Sequence, residues 1–586
     1  MPPGGIQVEF DRGASLRTIA WISRRALAAA PVMVVCTTLV ALVLAAVPAL
    51  QVLVIAELIA ALGEAERLQD IAGALLAMIL LVGLTPSISM ICGDFQMRAA
   101  QRLQAELNAS LVREAARISP EELVNSSISS QVERHSRAIG EGISWSFKQY
   151  MTAFMGLLSS IGVIAAVFSF SAIAGVLTLI ALIPPLIYSR HLSGVWERQW
   201  AEVSPHYDRE RYLRELIVRQ RPATELAGLG TSERVGEMVA VRWRIVDSIM
   251  AKALRPEALG NAASGIVSTV LLGGAILAVV VGAHFESSAV AGIYGVMAAM
   301  TASAGAGLNA GLAIETLPLA RGLHHFLAVA RPSRVHPVAP AVRELRAERL
   351  THRYSGRDTD AITDVSIEAR LGEVVALVGV NGAGKTTTVN ALLGLVTPQA
   401  GEARLDGATR TELGEAAWLA RFGLLTQEFG RFELTVRDAV RLGSPREDVS
   451  DEEVWTALRS AHAEAMVESM PDGLDQQLGE QWGGVGISGG LWQRLALARI
   501  YLRDAPVWVL DEPTSAIDAE AEQEIFHELQ RTKHTRITVV VSHRAWTLKE
   551  MDRIYVIDEG RVAEQGTYEE LLALDGRFAA IFAEQR

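Results

Sequence analysis

The run Gly379-Val380-Asn381-Gly382-Ala383-Gly384-Lys385-Thr386 fits the pattern GxxxxGK[ST], and every part of it has phosphate chemistry to do. The glycines let backbone N–H groups close around a phosphate chain, and Lys385 can reach its β and γ oxygens. The Thr386 hydroxyl can hold Mg²⁺, and the helix that follows aims its N-terminus at the anion. Gly379, Asn381, Gly382, Gly384, Lys385, Thr386 and the adjoining Thr387 are therefore candidate contacts to a nucleoside triphosphate.

Chemistry of this kind needs more than a cradle, and apolar runs in the same half of the chain supply the remainder. Val374-Val375-Ala376-Leu377-Val378 leads into the glycine loop. Val507-Trp508-Val509-Leu510 ends in Asp511-Glu512, and Thr538 to Val541 delivers Ser542-His543. Continuous apolar runs of this length predict central parallel strands, and ligands of such sheets gather at the strands' carboxyl ends. Asp511 would complete a Mg²⁺ shell. Glu512 would orient the attacking water, since phosphoryl transfer depends mainly on positioning and charge stabilisation.

Between these strands lies Ile487-Ser488-Gly489-Gly490-Leu491, opening a helix through Trp492-Gln493-Arg494-Leu495-Ala496-Leu497-Ala498-Arg499. Here the chain resembles the ATP-binding cassette transporters. Gln427 in Leu424-Leu425-Thr426-Gln427 resembles the Q-loop, Ser515-Ala516-Ile517-Asp518 the D-loop and His543 the switch histidine, and Tyr354 stands where the family stacks an aromatic ring on adenine. The resemblance implies a catalytic set of Glu512, His543 and Gln427, and Mg²⁺ held by Thr386, Gln427 and Asp511. It implies ATP contacts from Tyr354, the glycine loop and Ser488, Gly489 and Gly490. It also implies a head-to-tail pair of cassettes, each ATP lying between one cassette's phosphate loop and the other's signature helix. The family signature reads LSGGQ, and this chain departs from it at Ile487 and Leu491. Any weakness from that departure would fall on the ATP held by the opposite cassette, so a second half-transporter as partner, in a homodimer or an asymmetric heterodimer, is expected.

The N-terminal half is of another kind. Hydrophobic residues make up 50% of the whole chain, and the excess is concentrated there. Spans long enough for the ~30 Å hydrocarbon layer are predicted at about 26–55, 71–92, 150–170, 171–188, 261–283 and 290–314, with almost no ionisable residues inside them. Arg12, Arg17, Arg24 and Arg25 precede the first, whereas Glu57, Glu64, Glu66 and Asp70 follow it, which places the N-terminus inside. An even number of spans returns the nucleotide site to the cytoplasmic side of a plasma (inner) membrane. The segments 93–144 and 189–260 are too long for loops and too polar for spans, and read as helical extensions toward the cassette. Ser119-Pro120-Glu121-Glu122 has the makings of a capped helix start. It and the stretch from Pro222 to Gly230 fall where exporters of this type place coupling helices. Pro31, Pro48, Pro86, Pro184 and Pro185 are expected to kink or unwind the spans. Gly292, Gly295, Gly305, Gly307 and Gly311 are expected to allow close helix packing.

The expected fold is a polytopic α-helical membrane domain of six transmembrane helices fused to an α/β P-loop NTPase cassette, a RecA-like core with a helical subdomain. The expected divisions are a cytoplasmic segment 1–25, a membrane domain 26–320, a linker 321–341 and a nucleotide-binding domain 342–586. The net charge of −12 gives no basic footprint for nucleic acid. Cys36 and Cys92, both within predicted spans, indicate neither a disulfide framework nor a thiolate metal site, and His324-His325 reads as a solvated or interfacial helix face. No cleavable signal peptide is apparent, and the preference for arginine over lysine points to a bacterial source. The expected activity is ATP hydrolysis coupled to transport, most simply export, of an amphipathic or apolar solute, small or peptide-like. Import of a small ligand such as a siderophore, and a nucleotide-binding subunit that regulates a more active partner, are the alternatives.

Overall fold

The computed structural model describes residues 12–64, 67–119, 122, 126–282, 288–329, 339–354, 356–513, 519–542 and 544–583. They form an N-terminal helical unit, residues 1–116 and 127–331, and a C-terminal α/β unit, residues 117–126 and 332–586.

In the helical unit, α1 (Arg12–Ala29) stops where Pro31 opens α2 (Pro31–Glu64). There follow α3 (Leu68–Ala115), α4 (Ser126–Ala138), a π turn at Ile139–Ile143, α5 (Ser144–Phe170), α6 (Ala172–Ala181) and α7 (Ile183–Val218). The unit ends with α8 (Gln220–Gly228), α9 (Ser232–Gly282), α10 (Ser288–Glu315) and α11 (Leu317–Ala328). Among the described residues, five helical segments are long and apolar enough to cross a membrane: Pro31–Gly63, Leu68–Ala115, Ser144–Phe170, Ala258–Gly282 and Ala289–Ala313. Val32, Ile79, Met90, Ile173 and Val270 on these and neighbouring helices are exposed. A surface of that kind is stable against hydrocarbon and unfavourable in water.

The fourth predicted span, 171–188, is not one continuous helix. Ser171, in extended conformation, caps α6 by accepting from the Ala174 N–H at 3.3 Å, and α6 ends after Ala181. The chain turns at Leu182 before α7 begins. Pro184 and Pro185 have no N–H to offer the carbonyls of Ile180 and Ala181, so the helical ladder fails there. Pro48 and Pro86 lie inside α2 and α3, which run on as single helices, so neither proline unwinds its span.

The small residues of α10 divide into two groups. A Cβ on Gly292 would meet Val279 Cγ1 at 2.5 Å, and one on Gly295 would meet Val167 Cγ2 at 2.9 Å, so both permit close approach to neighbouring helices. Around Gly305, Gly307 and Gly311 a Cβ would meet nothing within 4 Å, which does not fit the packing role expected of them. The segments 93–115 and 189–218 are helical continuations of α3 and α7. The Ser119 and Glu122 pair forms a reciprocal cap: the Glu122 N–H donates to Ser119 Oγ at 3.0 Å and the Ser119 N–H to Glu122 Oε2 at 3.2 Å. Pro120 and Glu121 lie outside the described residues. His324 stacks on Trp21 with ring centroids 4.8 Å apart, and His325 is exposed.

The C-terminal unit holds two sheets. An antiparallel one is ordered β2-β1-β4-β5, from β1 (Glu344–His352), β2 (Ile362–Arg370), β4 (Ala400–Leu405) and β5 (Ala408–Thr409). A six-stranded one is ordered β10-β9-β3-β8-β7-β6, from β3 (Val374–Val378), β6 (Phe422–Leu425), β7 (Val507–Asp511), β8 (Ile537–Val541), β9 (Arg553–Asp558) and β10 (Arg561–Gly566). All pairings from β9 to β6 are parallel; only β10 is antiparallel. Every residue of β3, β7 and β8 is buried. The two-residue period of a strand sends alternate side chains to opposite faces. Val374, Ala376, Val378, Trp508 and Leu510 accordingly join a core shared with the helices after Thr435, whereas Val375, Leu377, Val507, Val509 and Val541 join a core under the antiparallel sheet. The central sheet is clamped between two apolar layers, and its strand ends are fixed points for a site.

Candidate functional site

The register of the parallel sheet decides where the chemistry collects. Leu377 of β3 lies opposite Val541 of β8, Asp511 of β7 opposite the same Val541, and Leu425 of β6 opposite Leu510. The segments leaving these strands, Gly379 onward, Ser542 onward, Glu512 onward and Thr426-Gln427, therefore emerge along one carboxyl edge. Between them is a cleft of about 280 Å³ lined by Ala361, Asn381, Gly382, Gly384, Lys385, Thr386, Thr387, Gln427, Asp511 and Glu512.

The glycine loop fits tightly against its surroundings. Gly384, the N-cap of the helix Lys385–Leu393, has φ of 108°, and a Cβ there would meet the Ala361 carbonyl oxygen at 2.8 Å. A Cβ on Gly379 would meet the Ile557 carbonyl oxygen at 2.2 Å. The loop is thus held close to β2 and β9 by backbone contact that side chains would prevent. The first N–H groups of the helix have no partner within it and face the loop, as a phosphate requires. The buried Lys385 ammonium donates to the carbonyls of Gly379 at 2.8 Å and Val380 at 3.0 Å.

The acidic pair sits opposite. Burial, with Glu512 adding to it, pushes the Asp511 carboxyl above its usual range, while Lys385 opposes the shift. Burial pushes Lys385 below its usual value, against the pull of Glu512 and Asp511. Both shifts arise chiefly because burial disfavours a charge, a cost that a bound polyphosphate with its cation would offset. Glu512 adopts φ of 49°; its N–H donates to the Val541 carbonyl at 3.1 Å, and its Oε2 accepts from Gln427 Nε2 at 3.2 Å. The Thr386 hydroxyl, the Asp511 carboxylate and the Gln427 amide are oxygen donors of the kind Mg²⁺ takes.

Other residues singled out in the sequence stand in other places. The Tyr354 hydroxyl is 3.4 Å from Thr387 Oγ1, and the ring packs edge-on to His352, so it adjoins the cleft without lining it. Ser488 caps the helix Gly489–Arg503, its Oγ accepting from the Leu491 N–H at 3.2 Å, and neither Ser488, Gly489 nor Gly490 lines the cleft of its own chain. Leu491 is buried in the core of the helical layer, and Ile487 packs against it. Ser542 is buried and hydrogen-bonded to Thr547 at 2.8 Å. His543 and the run 515–518 lie outside the described residues.

Loop, signature helix and acidic pair in this order have known counterparts. The ABC transporter family model matches residues 362–515. The C-terminal unit carries an ABC transporter domain. Over 238 residues, 41% of this chain and 40% of the other, the chain is 37% identical to an ATP-dependent lipid A-core flippase of Methylobacillus flagellatus. Over 223 residues, 38% of each chain, it is 38% identical to the beta-(1→2)glucan export ATP-binding/permease protein NdvA of Agrobacterium vitis. The matched part spans about two fifths of the length of these curated relatives. A solved bacterial Atm1-family ABC exporter with ATP bound has the same fold: TM-score 0.78 over 98% of this chain and 99% of that one, at 21% identity. The chain therefore shares the fold of that exporter over nearly its whole length, with the helical unit ahead of the α/β unit in sequence.

Two residues of the site escape a reading by motif. Ala361, which precedes β2, lines the cleft through the fold alone. Gln493 donates from Nε2 to the Glu512 carbonyl at 3.0 Å. The signal for it was an amide on a helix otherwise apolar at Leu491, Trp492, Leu495 and Ala496.

Proposed function

We propose that this chain is one half of an ATP-driven exporter in the plasma (inner) membrane of a bacterium, with its N-terminus and cassette in the cytoplasm. The observation that carries the reading is the meeting of Lys385, Thr386, Asp511, Glu512 and Gln427 in one cleft at the carboxyl edge of the sheet, in a chain that also holds helices apolar enough to span a bilayer. The domain limits follow the same logic: a cytoplasmic segment 1–25, membrane domain 26–320, linker 321–341 and nucleotide-binding domain 342–586.

In this reading the loop N–H groups and Lys385 hold the β- and γ-phosphates, Tyr354 meets the base, and Thr386, Asp511 and Gln427 hold Mg²⁺. The cation neutralises phosphate charge and fixes the chain's geometry. Glu512 orients the water for in-line attack, and Gln427 and His543 complete the arrangement around the γ-phosphate. Ser488, Gly489 and Gly490, which are not among the residues lining their own cleft, serve the nucleotide of a second half-transporter, so ATP is shared between two chains. Closure of the pair would be passed to the helical domain through the segments at Ser119 and Gln220–Gly228. The scarcity of ionisable residues in the spans supports an amphipathic or apolar solute, and the names of the lipid A-core and glucan relatives agree with export.

Leu491 supports a second, narrower reading, in which the chain works beside a different half. Its buried side chain supplies no amide to the opposite nucleotide, and one site of the pair would then be weaker. The test is ATP hydrolysis by the purified protein in lipid, followed by ATP-dependent accumulation of a fluorescent lipid or amphipathic dye in inside-out vesicles. Absence of both activities, alone and with any co-purified half, would contradict the proposal.

A further inference from the structure

The backbone of Glu512 is left-handed, with φ of 49°, a region that residues carrying a Cβ occupy rarely and at an energetic cost. Something must over-determine that conformation. The N–H of Glu512 is tied to β8 through the Val541 carbonyl at 3.1 Å, and its carbonyl accepts from Gln493 Nε2 at 3.0 Å. Gln493 is 1% exposed, on a helix whose neighbouring side chains Leu491, Trp492, Leu495 and Ala496 are buried and apolar. An amide in such surroundings is unfavourable unless bonded, and a methionine or leucine would fill the same volume with no such demand. Through its bond to the Glu512 carbonyl the amide adds control of one peptide plane. With the N–H already tied to Val541, fixing the carbonyl pins the residue on both sides and so holds φ and ψ together, and with φ the direction in which the carboxylate leaves the strand end.

We infer that Gln493 is a positioning residue for the water-activating carboxylate, acting through the Glu512 peptide and touching neither nucleotide nor water. This rests on the reading of Glu512 as the group that orients the attacking water. Gln427, the other amide at Glu512, is exposed and bonds the carboxylate itself, so it can exchange its partner during a cycle. Gln493 is buried and bonds the backbone. It also lies little more than one turn into the helix capped by Ser488. A shift of that helix end, where a second chain's nucleotide would press, therefore reaches this chain's own Glu512 through a single hydrogen bond. The two composite sites are linked by a route that needs no movement of the sheet.

The test uses the full-length protein in lipid with MgATP, and two substitutions. Gln493→Met keeps length and volume and removes the donor. The expected result is kcat lower by about tenfold, with KM and MgATP affinity within about twofold of wild type and the melting temperature little changed. Gln493→Glu places a buried carboxyl there, which donates only when protonated and titrates high. Its kcat is expected to recover relative to wild type as pH falls from about 8.5 to 6.5, a dependence that a packing role does not produce. Wild-type kcat in Gln493→Met, or losses of kcat, affinity and melting temperature in parallel without a pH-dependent recovery in Gln493→Glu, would overturn the inference. Undiminished hydrolysis in Glu512→Gln would instead overturn the reading beneath it, and this inference with it.

Discussion

Gln427 Nε2 and Glu512 Oε2 are 3.2 Å apart, which joins the end of β6 to the end of β7 across the cleft that also holds Lys385. A carboxylate held in that way is aimed and accessible at once. Replacing Glu512 by Gln keeps its size and removes its basicity, so MgATP binding is expected to persist while turnover falls by about a hundredfold or more. Equilibrium binding of a fluorescent ATP analogue beside a phosphate-release assay checks this. Wild-type turnover would remove Glu512 from the mechanism.

Lys385→Ala deletes the ammonium that stands beside Gly379 and Val380. A charge-assisted contact to phosphate is worth about 1.5–3 kcal/mol, so MgATP affinity should fall by roughly ten- to a hundredfold. Calorimetry on the Lys385→Ala protein measures it, and an unchanged Kd would contradict the phosphate-loop assignment.

Asp511 carries a pH dependence of definite sign. Its carboxyl is raised in the folded protein, mainly by burial and then by Glu512. A raised group contributes stability that is fully present below the ordinary carboxylate value of about 3.9 and is lost as pH rises through the folded value. At pH 7.5 the ionisable carboxyl of Asp511 is thus a burden on the nucleotide-free protein. Asp511→Asn should melt at an equal or higher temperature than wild type at pH 7.5 and lose that advantage near pH 4, while Mg²⁺-dependent hydrolysis is abolished. A lower melting temperature at pH 7.5 would show that the charged carboxylate stabilises the fold.

The helical unit offers a paired test. A Cβ on Gly295 would come within 2.9 Å of Val167 Cγ2, whereas one on Gly307 would meet nothing within 4 Å. Gly295→Ala should destabilise the detergent-solubilised protein by about 1–3 kcal/mol, and Gly307→Ala should be close to neutral. Thermal denaturation read by a thiol-reactive dye, or by loss of the monodisperse peak, separates the two. Equal effects would mean that the close packing at α5 and α10 is not as described.

The strands β3, β7 and β8 were legible because burial on both faces leaves an unbroken apolar run, and the glycine loop was legible because its spacing is dictated by a phosphate chain. The break after Ala181 was legible in kind, from Pro184-Pro185, but its position depends on which carbonyls lose their partners. That α2 and α3 run on as single helices past Pro48 and Pro86 was not legible, since a proline's effect on a long helix depends on the packing around it. The left-handed turn at Glu512 and the amide of Gln493 beneath it come from the packing of a distant helix against a strand end. No local pattern encodes that pairing. The same holds for the two groups of glycines in α10, identical in sequence character and different in their neighbours.

The central claim is that ATP is enclosed between two cassettes, one chain supplying Lys385 and Glu512 and another supplying Ser488. Native mass spectrometry of the wild-type protein, extracted with lipid and turning over MgATP, tests this most directly. The account predicts a complex of two cassette-bearing chains, either two copies of this 63.1 kDa chain or this chain with a different half. A single copy that hydrolyses ATP with no companion would contradict it.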